Sequence, residues 1–296
     1  MSSSSAQKQD CVVIGGGPAG LTAALYLARF LRTVTVIDAQ YGRARMIPMT
    51  HNLGAFPSGI SGLNLLERMQ SHATEYGVTF RTEMVFSVNT KNGALQIETK
   101  SGIFKALTVI LATGVVNHRP PLAIKDHDAG LACGLIRYCP VCDGFEIRDK
   151  RIAVLGSGNH GFNEARFIRH YSPFVTLIAP AGNQAVARDG ISVPEAPLKD
   201  LAIVNQEVVV TLKNGQISRF DALYVALGTT PNSDLALALG LRLDHDGYIV
   251  VDDKQKTSMD RVYSIGDVVQ GLDQIATAMG QGAAAATAIH NELRDA

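Results

Sequence analysis

Twice in this chain of 296 residues a short apolar run ends in a Gly-x-Gly-x-x-Gly turn and continues as an apolar segment at helical spacing. Residues 10–14 are expected to form a buried strand, Gly15-Gly16-Gly17-Pro18-Ala19-Gly20 the turn, residues 21–30 a helix, and the β-branched run 33–37 the next strand. The order returns with a strand at 151–155, the turn Gly156-Ser157-Gly158-Asn159-His160-Gly161, a helix at 162–170 and a strand at 174–178. This is the order of a βαβ unit, and two copies of it predict an α/β protein.

The three glycines of such a turn have different tasks. Gly15 allows the tight turn, Gly17 lets backbone approach a pyrophosphate, and Gly20 lets helix and strand pack closely. Phosphate then sits on the free N–H groups at the helix N-terminus. The acid that should follow is present: Asp38 lies 18 residues past Gly20, at the end of the second strand, where it would bind a ribose hydroxyl. A purely structural glycine turn does not account for strand, helix and acid in register. The second copy keeps Gly156, Gly158 and Gly161, with Asn159 and His160 in the loop. There the step that leads from Gly15 to Asp38 lands on Ala179, and no arginine or lysine follows until Arg188. A second nucleotide site at these five residues, and a retained fold without nucleotide affinity, are both open. His160 stands where a small residue is usual, and either stacks on a ligand or fills the site.

Just before the second copy lies Cys139-Pro140-Val141-Cys142-Asp143-Gly144. A cycling dithiol needs two sulfurs close enough to close a small ring and a lowered thiolate pKa, which a following helix N-terminus provides. Asp143 can shuttle the proton as a thiolate attacks or leaves. The chain has four cysteines, and residues 1–10 lack the apolar core of a signal peptide and resemble a short flexible tail. A reducing, cytoplasmic setting is therefore expected, where such a pair is catalytic or metal-binding more often than structural. Zinc could draw on Cys133, Cys139, Cys142 and His127, but at the spacing of neither a ribbon nor a finger. Cys11 and Cys133 are expected to be plain buried cysteines. A redox pair is the best reading, and no metal is expected.

The remaining chain supplies scaffold. Residues 42–62 are expected as a loop, 63–76 as a helix, 78–108 as short strands around an Asn92-Gly93 turn, and 107–111 as a buried strand closed by Ala112-Thr113-Gly114. Pro120-Pro121 marks a linker, and residues 203–227 read as strands around an Asn214-Gly215 turn. A short strand from 262 runs into Gly266-Asp267, and a small-residue helix follows at about 275–293, its alanines packing helix to sheet. The formal net charge is +0 and no basic run is interleaved with aromatics, which argues against nucleic acid as a partner. The alanine-rich run 282–289 is too short to span a bilayer, so no membrane association is expected. His51, His118, His127 and His160 are expected as surface or loop histidines, since none has a nucleophile partner in view.

The two turns, Ala112-Thr113-Gly114, Cys139-x-x-Cys142-Asp143-Gly144 and Gly266-Asp267 with its following helix together resemble the low-molecular-weight thioredoxin reductase family of FAD flavoproteins, over nearly the whole length. The resemblance implies two Rossmann-like, three-layer ββα nucleotide-binding domains, the second inserted in the first. An FAD domain would comprise residues 1–118 and 228–296, and a shortened pyridine-nucleotide-type domain carrying the cysteines residues 119–227. It further implies a homodimer in which Cys142 exchanges electrons with the flavin, Cys139 meets the substrate disulfide and Asp143 is the general acid. Asp267 would hold the ribityl chain, Gln274 and Ile275 would face the flavin ring, and Asn52, Arg45, Thr113, Gly114 and Gly266 would complete the contacts with Pro18 and Ala19 of the first turn.

Departures from the family pattern are local. The basic motif that reads the NADPH 2′-phosphate would fall at Ala179-Pro180-Ala181 and is absent; Asp273 replaces a usual arginine; Gly42-Arg43-Ala44-Arg45 replaces a Gly-Gly-Gln loop. NADPH is therefore doubtful as donor; ferredoxin or another donor is open, as is a second flavin or other ligand at the second site. The expected function is an FAD-dependent disulfide oxidoreductase acting on a thioredoxin-like protein or small disulfide. A small-molecule dithiol oxidase using oxygen, and a flavin-binding redox sensor without turnover, are the alternatives.

Overall fold

The computed structural model describes residues 9–91, 93–181 and 189–295. The amino-terminal tail before residue 9, Asn92 of the expected turn and Arg188 lie outside the described residues. Backbone contacts divide the chain into two units. One holds the amino-terminal strand through Arg45, Ser61–Val116 and the chain from Thr230 onward; the other holds Met46–Ile60 and Asn117–Thr229.

In the first unit, strand Gln9–Ile14 pairs in parallel with Val34–Ile37 on one side and Gly102–Leu111 on the other. Thr79–Arg81 extends the first edge. The C-terminal half of Gly102–Leu111 receives Val262–Ser264 in parallel, and its N-terminal half receives Ala94–Thr99 antiparallel, with Val85–Lys91 beyond. Lys91 pairs with Ala94, which leaves two residues for the hairpin connection. Cys11, Val12 and Val13 are fully buried because both faces of the sheet are covered. Cys11, Val13, Val36 and Ile110 face helices Pro18–Arg29 and Ile275–Arg294; Val12, Ile14, Val109 and Leu111 face the antiparallel strands and Ile249. The last helix packs directly on the first, as well as toward the sheet. A Cβ on Gly282 would lie 2.5 Å from the Ala19 carbonyl oxygen, so only glycine allows the helices to come this close.

In the second unit, strands Val175–Ile178, Ile152–Gly156, Ala222–Ala226 and Ile136–Arg137 form a parallel sheet in that order. Helix Gly158–Ile168 lays Phe162, Ala165 and Ile168 on one face, against Val154, Leu177 and Tyr224. The antiparallel sheet of Leu198–Val204, Glu207–Leu212 and Ile217–Phe220 covers the other, through Leu201, Val208 and Val210. Each unit is thus a Rossmann-like three-layer sandwich. The Asn214-Gly215 turn closes with the Gly215 amide on the Leu212 carbonyl. Both fingerprint helices begin earlier than residues 21 and 162, because part of each glycine turn already belongs to the first helical turn, where Pro18 fits the N1 position. Among the described residues no helix is long and apolar enough to cross a membrane.

Candidate nucleotide and redox sites

The first glycine turn presents a cradle. Gly15 has φ +112°, and a Cβ on Gly20 would run into the Gly15 carbonyl oxygen, so these two glycines are fixed by packing. Gly17 is different: a Cβ there would meet nothing within 4 Å. It is the N-cap of helix Pro18–Arg29, no side chain caps that end, and the first turn holds no acid. Uncapped N–H groups beside open space, with no acid in the helix's own first turn, suit a phosphate. Asp38 follows the second strand, and its carboxylate lies against the loop, 2.8 Å from where a Cβ of Gly16 would be. A phosphate cradle with a ribose acid beside it fits a dinucleotide such as FAD.

Other expected contacts of this site sit in the same unit. Asn232 fastens the Ala112-Thr113-Gly114 strand end: its amide nitrogen donates to the Thr113 carbonyl at 2.9 Å, and its backbone N–H to the Gly114 carbonyl at 2.9 Å. Gly266, at φ +75°, donates its amide to Gln281 Oε1 at 2.7 Å, which holds the Gly266-Asp267 turn against the last helix. Gln274 is the N-cap of that helix and Ile275 its first residue. Arg45 lies in a short 3₁₀ turn, Arg43–Met46. Its neighbour Arg43 is the residue that reaches the acids: Nη2 donates to Asp267 Oδ2 at 2.7 Å and to Asp273 Oδ2 at 2.9 Å. Burial pushes the Asp273 carboxyl up, Asp267 adds to the rise, and Arg43 opposes both. Sequence reasoning singled out Arg45 and missed Arg43; the acid at 273, a departure from the pattern the chain resembles, was the signal to look for a cation nearby.

Asn52 belongs to the second unit, where its amide donates to the Val141 carbonyl at 3.3 Å and its Oδ1 accepts from the Thr50 hydroxyl at 2.8 Å. The second glycine turn keeps the packing of the first: a Cβ on Gly161 would lie 2.7 Å from the Gly156 carbonyl carbon. Its helix is again uncapped by a side chain, and Asn159 and His160 are exposed in its first turn. At the strand end, the Ala179 carbonyl accepts from the Leu198 amide at 2.9 Å. Glu164, one helical turn on from His160, is half-buried, and burial raises its carboxyl to about 7.

Cys139 and Cys142 form a disulfide across a four-residue helix, Pro140–Asp143. Cys139 is its N-cap, and its sulfur accepts from the Cys142 amide at 3.2 Å. Asp143 is clasped: Arg137 Nη1 donates to Oδ2 at 2.6 Å and the Tyr224 hydroxyl to Oδ1 at 2.6 Å. Burial raises the Asp143 carboxyl, and Arg137 and Tyr224 pull it back. Two expectations fail in this unit. His127 is fully buried, not a surface histidine, because its ring is bonded on both sides: Nδ1 to Asp128 Oδ1 at 2.7 Å and Nε2 to the Tyr138 hydroxyl at 2.8 Å. Cys133 is exposed, since it caps the C-terminal end of helix Ile124–Ala132. With the disulfide closed and both His127 nitrogens engaged, the four groups weighed for zinc do not form a ligand set.

A family model described as pyridine nucleotide-disulphide oxidoreductase matches residues 9–282. The thioredoxin reductase of Borreliella burgdorferi is 30% identical over 97% of this chain and 92% of its own. The bifunctional thioredoxin reductase/thioredoxin of Mycobacterium leprae is 33% identical over 94% of this chain and 64% of its own. The crystal structure of thioredoxin reductase from Streptococcus pyogenes matches with a TM-score of 0.90, covering 99% of this chain and 100% of its own at 27% identity.

Proposed function

The chain belongs to the pyridine nucleotide-disulphide oxidoreductase family, in its low-molecular-weight thioredoxin reductase branch, and from that premise we propose that it cycles Cys139–Cys142 between disulfide and dithiol for an external thioredoxin-like protein or small disulfide. As a member it is a flavin-dependent disulfide oxidoreductase. The observation that carries the reading is a closed Cys139–Cys142 disulfide followed at once by a clasped acid.

FAD, when bound, supplies the two-electron carrier that the cysteine pair needs as its counterpart. The first unit would be the FAD domain: Gly15, Gly17, Pro18, Ala19 and Gly20 for the pyrophosphate, Asp38 for a ribose, and Asp267 for the ribityl chain. Thr113, Gly114, Gly266, Gln274, Ile275, Arg45 and Asn52 would take the remaining contacts.

In the reducing direction the Cys139 thiolate bonds to one substrate sulfur and the substrate disulfide breaks. Cys142 then bonds to Cys139 and releases the second substrate sulfur. Two electrons leave the dithiol, and the two departing thiolates take up two protons. Asp143 delivers one of these, and Cys142 is the cysteine that would exchange electrons with FAD. The M. leprae relative, which fuses a reductase to a thioredoxin, supports a thioredoxin-like partner. Ala179 in place of a basic motif argues against NADPH as donor, and ferredoxin or another donor would then supply the electrons. The same observation favours a second reading, a dithiol oxidase that passes electrons from a small dithiol to oxygen. The enzyme would work as a cytoplasmic homodimer.

Cys142→Ser is expected to abolish dithiol–disulfide turnover while the protein keeps its yellow flavin spectrum. Turnover that persists in the serine variant sinks the assignment.

A further inference from the structure

Asp143 has an acceptor on each side of its carboxylate, and the two donors differ in kind. Arg137 leads into the disulfide from strand Ile136–Arg137 and is itself braced by its Nε, which donates to the Gly134 carbonyl at 2.9 Å. A guanidinium carries donors only, so Oδ2 stays an acceptor throughout the cycle. Tyr224 stands on the central strand Ala222–Ala226 and is fully buried. Its hydroxyl can donate or accept. A proton arriving on Asp143 is therefore compatible with Oδ1, where the tyrosine can turn its hydrogen away, and incompatible with Oδ2.

Resting on the reading of Asp143 as the proton-transfer group, we propose that Arg137 and Tyr224 are positioning residues of the redox centre, which confine the working proton of Asp143 to Oδ1 and govern its exchange with the cysteine pair. In this role both act through Asp143. The charged and titratable groups that bear on that carboxyl are Arg137 and Tyr224, which favour its ionised form, and Glu146 of the 3₁₀ turn Gly144–Ile147, which with burial opposes it. Removing either holder leaves burial and Glu146 less opposed, so Asp143 keeps its proton to higher pH.

The test uses the FAD-loaded enzyme with dithiothreitol as probe, and follows flavin bleaching against pH. Arg137→Gln is expected to move the inflection assigned to Asp143 up by about one pH unit, a roughly ten-fold change in rate at a fixed pH on that limb. Arg137→Lys, which restores the charge, should recover most of the shift. Tyr224→Phe should move it the same way by less. Asp143→Asn should remove the inflection. If the Arg137→Gln and Tyr224→Phe profiles overlay that of the wild type while Asp143→Asn loses the inflection, the proposal is wrong and the role of Asp143 stands. If Asp143→Asn keeps the inflection, the role of Asp143 falls and this proposal with it. Should Arg137→Gln fail to fold, Tyr224→Phe decides alone, and an unmoved inflection overturns the proposal.

Discussion

Gly20 and Gly161 meet the same obstacle. Each sits where a side chain would strike the backbone of the glycine that opens its turn, and each lets a helix start directly off a buried strand. The two turns part company at the end of the next strand. In one, Asp38 lays its carboxylate on the loop; in the other, Ala179 spends its carbonyl on the Leu198 amide. Their helices differ as well: Pro18–Arg29 carries no acid, and Gly158–Ile168 holds the half-buried Glu164. The glycines thus report how strand and helix pack, and would be needed with or without a ligand. Asp38, proposed to meet the ribose, lies outside the turn and is not tied to that packing.

The sharpest way to break this comparison is to fill the open glycine of each turn. Gly17→Val places a side chain where nothing stands within 4 Å, so the fold should survive while the cradle is blocked. Losing several charge-assisted hydrogen bonds to pyrophosphate is expected to weaken FAD binding by at least about 100-fold, read from flavin absorbance and fluorescence titration. Gly158, at φ +59°, also faces open space; Gly158→Asn tolerates that backbone and should leave flavin content unchanged. Equal flavin loss in both variants would erase the distinction.

A donor comparison should show a smaller effect. Mixed anaerobically, micromolar NADPH is expected to bleach the flavin at least ten-fold more slowly than reduced ferredoxin, because no cation stands at residues 179–181 to meet a 2′-phosphate. Fast bleaching by NADPH would make the second turn a working site despite Ala179.

The smallest effect concerns stability. The folded-state pKa of Glu164, about 7, lies above its ordinary value of 4.5, so ionising it costs the folded form. Its contribution is most favourable below the ordinary carboxylate pKa and is lost as pH rises to about 7. Glu164→Gln should therefore change little near pH 4 and stabilise at pH 8 by on the order of 1 kcal/mol, reduced by solvent screening. A denaturant series at the two pH values checks this, and equal shifts would contradict it.

How far all this was legible in the sequence depended on distance along the chain. The first turn, its helix and Asp38 fall within one βαβ unit, and glycine constraints of that kind are local, so they leave a readable spacing. The disulfide and Asp143 were equally plain. What the sequence did not disclose were pairings across the fold: Arg43 with acids 224 and 230 residues away, and Tyr224 with an acid 81 residues before it. No periodicity records such a meeting. The burial of His127 went unread for the same reason, since Tyr138 completes its hydrogen bonding from outside the helix. The grouping of Met46–Ile60 with the second unit likewise left no mark in a loop of glycine, proline and serine.

Gly282, pressed against Ala19, binds the end of the first unit to its beginning. The Ser264 hydroxyl reaches the Leu111 carbonyl across 153 residues in the same unit. On the ribosome this sets an order of events. The parallel sheet of the second unit has all its strands once Ala226 has emerged, whereas the first still lacks helix Asp234–Ala238, strand Val262–Ser264 and the last helix, with an unpaired edge exposed. Synthesis thus hands the cell a chain whose cysteine-bearing unit can fold before its first unit is able to close.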